Sequence, residues 1–180
     1  MATTIKTLGI MAAGLTLALA GAAWALDASA SKFLTDAIRA NLAEVKMAQL
    51  AKGSQNGDVR EFSKQLVSDH SIAFERSSSL AEKLGITAPT DMTAEAEKDY
   101  EAMSKLSGAE FDRRFASHMV KDHEKDLAAY RDEVVHGRDR EVAAFADEAV
   151  PTLQKQLATA HTIEQGLKVA ELAAGKGPPP

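Results

Sequence analysis

The stretch Phe62-Ser63-Lys64-Gln65-Leu66-Val67-Ser68-Asp69-His70 returns later in the chain as Phe115-Ala116-Ser117-His118-Met119-Val120-Lys121-Asp122-His123. The shared pattern is F-x-x-x-[LM]-V-x-D-H, and an apolar residue follows each His four positions on, Phe74 and Leu127. Steps of four through Phe62, Leu66, His70 and Phe74, and through Phe115, Met119, His123 and Leu127, mark one face of an α-helix in both copies. Helical periodicity accounts for the apolar positions. It does not call for Asp-His at the same place twice.

Working outward, the first copy belongs to a helix expected over about residues 58–84. Its apolar stripe is Val59, Phe62, Leu66, Ala73, Leu80 and Leu84, with His70 inside it. Asn56 or Asp58 can cap its start, and Gly85 stands where a terminating glycine belongs. The second copy belongs to a helix running to about His136, with Phe111, Phe115, Met119, Leu127, Tyr130 and Val134 as its stripe and Gly137 as its stop. Ser107-Gly108-Ala109-Glu110 has the spacing of a capping box at its start. Upstream, residues 31–52 form a further helix in which Glu44 interrupts the line of Phe33, Ala37, Asn41 and Ala48; Gly53 and Gly57 then set a short turn to an antiparallel neighbour. Downstream, residues 139–172 form the last helix, and Pro151 inside it is expected to kink or break it.

Residues 85–106 make a connection longer than a hairpin needs, and Thr93 can cap a short acidic helix within it. The expected architecture is all-α: a four-helix bundle with a long connection, carrying a short extra helix, between its second and third long helices. Scarce aromatics and abundant Ala agree with helices over a sandwich or barrel.

The N-terminus reads as a targeting segment. Lys6 precedes an apolar run from Leu8 to about Ala23, and Ala23-Trp24-Ala25 is an A-x-A cleavage site. The expected organisation is therefore a signal peptide over residues 1–25, a bundle domain over 26–172 and a disordered Gly/Pro-rich tail over 173–180. Cleavage removes one cation and no acid, taking the formal net charge from −5 to −6. Such a balance disfavours nucleic acid as a partner. With no second apolar run, no transmembrane segment is expected after cleavage, and the expected location is the periplasm, with peripheral attachment to the outer membrane, an envelope protein partner or a homo-oligomer all open. The absence of cysteine excludes disulfides, thiolate zinc sites, cysteine nucleophiles and N-terminal lipidation. No G-x-S-x-G, phosphate-binding loop or H-E-x-x-H is present.

The chemistry open to the repeated Asp-His is metal binding. Imidazole and carboxylate suit zinc, iron, manganese or copper, and bundle metal sites form where inward residues of facing helices meet at one level. Glu44, His70 and His123 are the candidate ligands, with Asp69 and Asp122 beside them; His161, one turn from Glu164, is a weaker one. A hydrogen-bonded polar layer of Glu44, His70 and His123 is the favoured alternative, since buried polar groups need partners. His118, four before Asp122, reads as a surface pair, and His136 as a cation at a helix C-terminus.

These residues resemble a bacterial family of exported, often outer-membrane-labelled proteins catalogued as domain of unknown function 4142, whose members look ferritin-like. The resemblance spans about Phe33 to Leu167. It rests on Ala43-Glu44-Val45, the two [LM]-V-x-D-H segments, His123-Glu124-Lys125, Leu106-Ser107-Gly108 with Phe111-Asp112, and Pro151-Thr152-Leu153. It implies that Glu44, His70 and His123 occupy positions of the family pattern. Where such proteins often carry a His soon after Pro-x-Leu, this chain has Gln156. The paired Glu-x-x-His motifs of di-iron bundles are also missing, so the resemblance implies no ferroxidase activity. Two functions remain: a non-catalytic exported protein of the envelope or its stress response, and a bundle that binds or uses a transition metal.

Overall fold

The computed structural model describes residues 28–175, which form five helices and, among the described residues, no strand. They are α1 (Ala28–Ala51), α2 (Gly57–Lys83), α3 (Ala94–Met103), α4 (Gly108–His136) and α5 (Arg140–Gly175). The signal-peptide reading of residues 1–25 lies outside the described residues. So do tail residues 176–180, whereas residues 173–175 continue α5.

Local chemistry sets the helix ends. Asn56, and not Asp58, caps α2: its side-chain oxygen accepts from the backbone N–H groups of Asp58 and Val59. At the other end Gly85 takes φ +76°, a left-handed turn that only glycine makes without strain. The Gly85 N–H then bonds the Glu82 carbonyl and the Ile86 N–H the Ala81 carbonyl, so the chain leaves α2 with its last carbonyls satisfied and Ile86 buried. Thr93 caps α3 through its hydroxyl, which accepts from Ala96 N–H. The capping box expected at Ser107 is not formed. Ser107 holds the N-cap position, but Gly108 enters α4 at φ +58° and the Ser107 side chain makes no cap bond.

Nor does Pro151 break α5, which is one helix from Arg140 to Gly175. Pro151 and Asp147 are both exposed. The carbonyl that loses its partner to proline is thus on the solvent side, where water satisfies it.

Helix α1 packs on α2 and α4 on α5; α2 also meets α5, α1 meets α4, and α3 lies against α1 and α4. The core this encloses is split in two. One half gathers Met47, Phe62, Leu66, Phe115, Met119 and Ile163. The other gathers Leu34, Ile38, Leu127, Tyr130, Phe145 and Leu153. Along every long helix the two halves are separated by a buried polar residue: Asn41 and Glu44 on α1, His70 on α2, His123 on α4 and Gln156 on α5.

A buried polar layer as the candidate functional site

The layer is assembled by helical register. The stripe that carries Phe62 and Leu66 into one half-core brings His70 inward a turn later. The matching stripe on α4 does the same for His123. Their rings meet edge to face, with centroids 5.6 Å apart. Glu44 Oε1 lies 3.7 Å from His123 Nδ1, beyond hydrogen-bond reach.

Fixed amides set the tautomer of His70. Asn41 Nδ2 donates to the Ala37 carbonyl at 2.8 Å, which turns its Oδ1 towards His70 Nδ1, also at 2.8 Å. His70 therefore carries its proton on Nδ1 and donates it to Asn41, and Nε2 keeps its lone pair. That Nε2 is buried without a partner. Burial, then the neighbouring His123, pushes the His70 pKa down to about 3, so the ring is neutral at physiological pH.

His123 is held at both nitrogens. Nδ1 faces the Met119 carbonyl at 2.8 Å and Nε2 faces Gln156 Oε1 at 3.3 Å, while Gln156 Nε2 donates to Asp69 Oδ2 at 3.1 Å. Burial lowers the His123 pKa, against the bonds to Met119 and Gln156 that raise it. A neutral ring has one proton, and the shorter contact assigns it to Met119. The lone pair on Nε2 then faces an amide oxygen, so the Gln156 contact is one proton short of a full hydrogen bond.

On the α1–α4 side, Glu44 has both oxygens buried and unpartnered. Burial first, then the charges of Asp122 and Asp126, pushes its pKa well above the carboxylate range. Burial also pushes Asp122 up, but its bond to His118 and the charges of His118, Lys125 and Lys121 outweigh that and leave it lowered. His118 Nε2 lies 3.0 Å from Asp122 Oδ2, and His118 is buried rather than the surface residue its position suggested.

Of the residues singled out in the sequence, Glu44, His70 and His123 come together. Asp69 joins through Gln156, and Asp122 stands beside Glu44 on α4. His161 does not join: it lies five residues beyond Gln156 on α5, is partly exposed and faces Glu124 at 3.7 Å, while Glu164 pairs with Lys168. The His161 and Glu164 side chains turn to different partners. Among the described residues, no group of three or more His, Asp or Glu side chains is arranged to hold a metal ion. Asn41 and Gln156 are members the sequence reading did not assign to the site. Their signal was an amide on an otherwise apolar stripe.

These helices and this layer define an all-helical protein with a polar seam through its core. The chain belongs to the family described as Domain of unknown function (DUF4142), whose model matches residues 16–163. No curated protein matches it. Its fold is similar to the crystal structure of a conserved hypothetical protein, rv2844, from Mycobacterium tuberculosis, with a TM-score of 0.60 at 17% identity over 76% of this chain and 98% of that one. At that identity the likeness concerns the fold alone.

Proposed function

We propose that this is an exported periplasmic protein, a ferritin-like four-helix bundle over residues 26–172 released from a signal peptide over 1–25, acting without catalysis in the cell envelope or its stress response. The observation that carries the non-catalytic reading is the occupancy of the layer. His123 contacts Met119 and Gln156, Asp69 accepts from Gln156, and Asp122 contacts His118. Asp69, His123 and Gln156, tied to one another in this way, hold α2, α4 and α5 together and are not free to act on a substrate. Among the described residues no helix is long and apolar enough to cross a membrane.

One observation favours a second reading. His70 Nε2 presents a lone pair fixed by the Nδ1–H bond to Asn41, and the Glu44 carboxylate is buried and unpartnered. An imidazole oriented through its other nitrogen is how protein ligands meet a transition metal. Glu44 and His70 are the two residues that would hold zinc, iron, manganese or copper as a Lewis acid; the fit stops at two. The test is metal analysis of untagged protein from the periplasmic fraction, with intact-mass measurement. The proposal expects a mature N-terminus at Leu26 and no stoichiometric metal. One retained equivalent, lost in a folded His70→Ala variant, establishes the metal reading instead. Full-length chain in the inner membrane refutes export.

A further inference from the structure

We propose that the cavity between α1 and α4 binds an organic ammonium ion, a compact primary amine or diamine, through Glu44, Asp122 and Asp126. The proposal rests on this cavity and not on the export reading, and it competes with the metal reading for Glu44.

The cavity has a volume of about 350 Å³. A water molecule takes about 30 Å³, so the space suits a ligand of several heavy atoms. Four carboxylates line it, Asp36 and Glu44 from α1 and Asp122 and Asp126 a turn apart on α4, together with three cations, Lys32, Arg39 and Lys125; alanines with Phe33 and Tyr130 make most of the remaining wall. Glu44 is the observation that asks for a ligand. It is 3% exposed, both oxygens lack a partner, and its charged neighbours of known effect are acids. A buried carboxylate left in that state costs several kcal/mol unless protonated or paired.

The three cations in the wall do not close on Glu44, Asp122 or Asp126 among the described residues. Lys32 pairs with Asp36, and Arg39 with Asp91. Lys125 is exposed; its charge is felt by Asp122 and Asp126, but it forms no ion pair with them among the described residues.

The donor set favours an ammonium over a metal ion. The cavity lining includes no imidazole. The carboxylates are not gathered tightly enough to share one ion. An ammonium instead spreads three N–H donors over separated oxygens, and its methylene chain is content against alanine and aromatic walls.

The test is isothermal titration calorimetry of the purified protein with putrescine, with magnesium and zinc run separately. We expect one putrescine per chain. Asp126→Asn, at a half-buried position that tolerates an amide, is expected to weaken binding at least tenfold with an unchanged helical spectrum. Glu44→Gln is expected to do the same, and Lys125→Met to tighten binding by removing a competing charge. Absence of putrescine binding at millimolar concentration overturns the proposal. So does binding that Asp126→Asn and Glu44→Gln leave unaltered, or zinc binding with none of putrescine.

Discussion

At His70 one hydrogen bond decides the chemistry of the ring. Asn41 fixes the proton on Nδ1, and the core refuses a second proton until about pH 3. An unfolded chain protonates this histidine below its ordinary 6.5. Stability from His70 is therefore fully present above 6.5 and falls by about 1.4 kcal/mol per pH unit as the pH drops towards 3. Asp126 acts in the opposite sense. Burial, then Asp122, raises it from 3.8 to about 7, so the unfolded state ionises first and stability is lost as the pH rises across that interval. Solvent at this half-buried group trims the effect. Asp126→Asn should accordingly melt higher than the parent at pH 8, with the gap closing towards pH 4 in calorimetric scans; a gap independent of pH contradicts the assignment. Gln156→His supplies a third imidazole at the layer. It should raise zinc affinity at least tenfold over the parent, measured by competition with a chromophoric chelator, and equal affinities would place residue 156 outside the reach of an ion at His70. Glu44, His70 and His123 were legible because a charge or imidazole on an apolar stripe is conspicuous. Asn41 and Gln156 were not, since an uncharged amide on such a stripe looks tolerable until its partner on another helix is known.

Among the elements, the local signals that rest on one residue's backbone chemistry were readable. Gly85 was marked as a stop by being glycine after an apolar run, and its φ of +76° supplies the reason. Gly85→Ala should cost about 1 kcal/mol or more, seen as a lower denaturant midpoint; no change would mean that the α2 terminus relaxes freely. Asn56→Ala should cost about 1 kcal/mol by releasing the N–H groups of Asp58 and Val59. Signals that depend on where a helix faces were less readable. The Ser107–Glu110 spacing satisfies the capping-box pattern, yet Gly108 redirects the chain. Pro151 violates the helix rule, yet its orphaned carbonyl meets water. Neither outcome can be known before the helix has been docked.

Across the whole molecule, the sequence pattern predicts four long helices, and the short antiparallel turn predicts that α1 and α2 pair. The division of the core into two apolar halves by one polar level is a property of the assembly, since it needs all four long helices at a common register. Phe115 is fully buried and stands edge-on to Phe62, so Phe115→Ala should cost about 3–5 kcal/mol in chemical denaturation. An unchanged midpoint would place the ring outside the core. The central claim is that this level is a buried layer in which Asn41 fixes His70 and Met119 and Gln156 hold His123. Nitrogen-15 NMR of the imidazole rings as a function of pH tests it most directly. His70 should appear as the neutral ring with its proton on Nδ1, and should stay neutral as the pH is lowered through 6.5. A His70 that titrates near 6.5, or carries its proton on Nε2, would contradict the account.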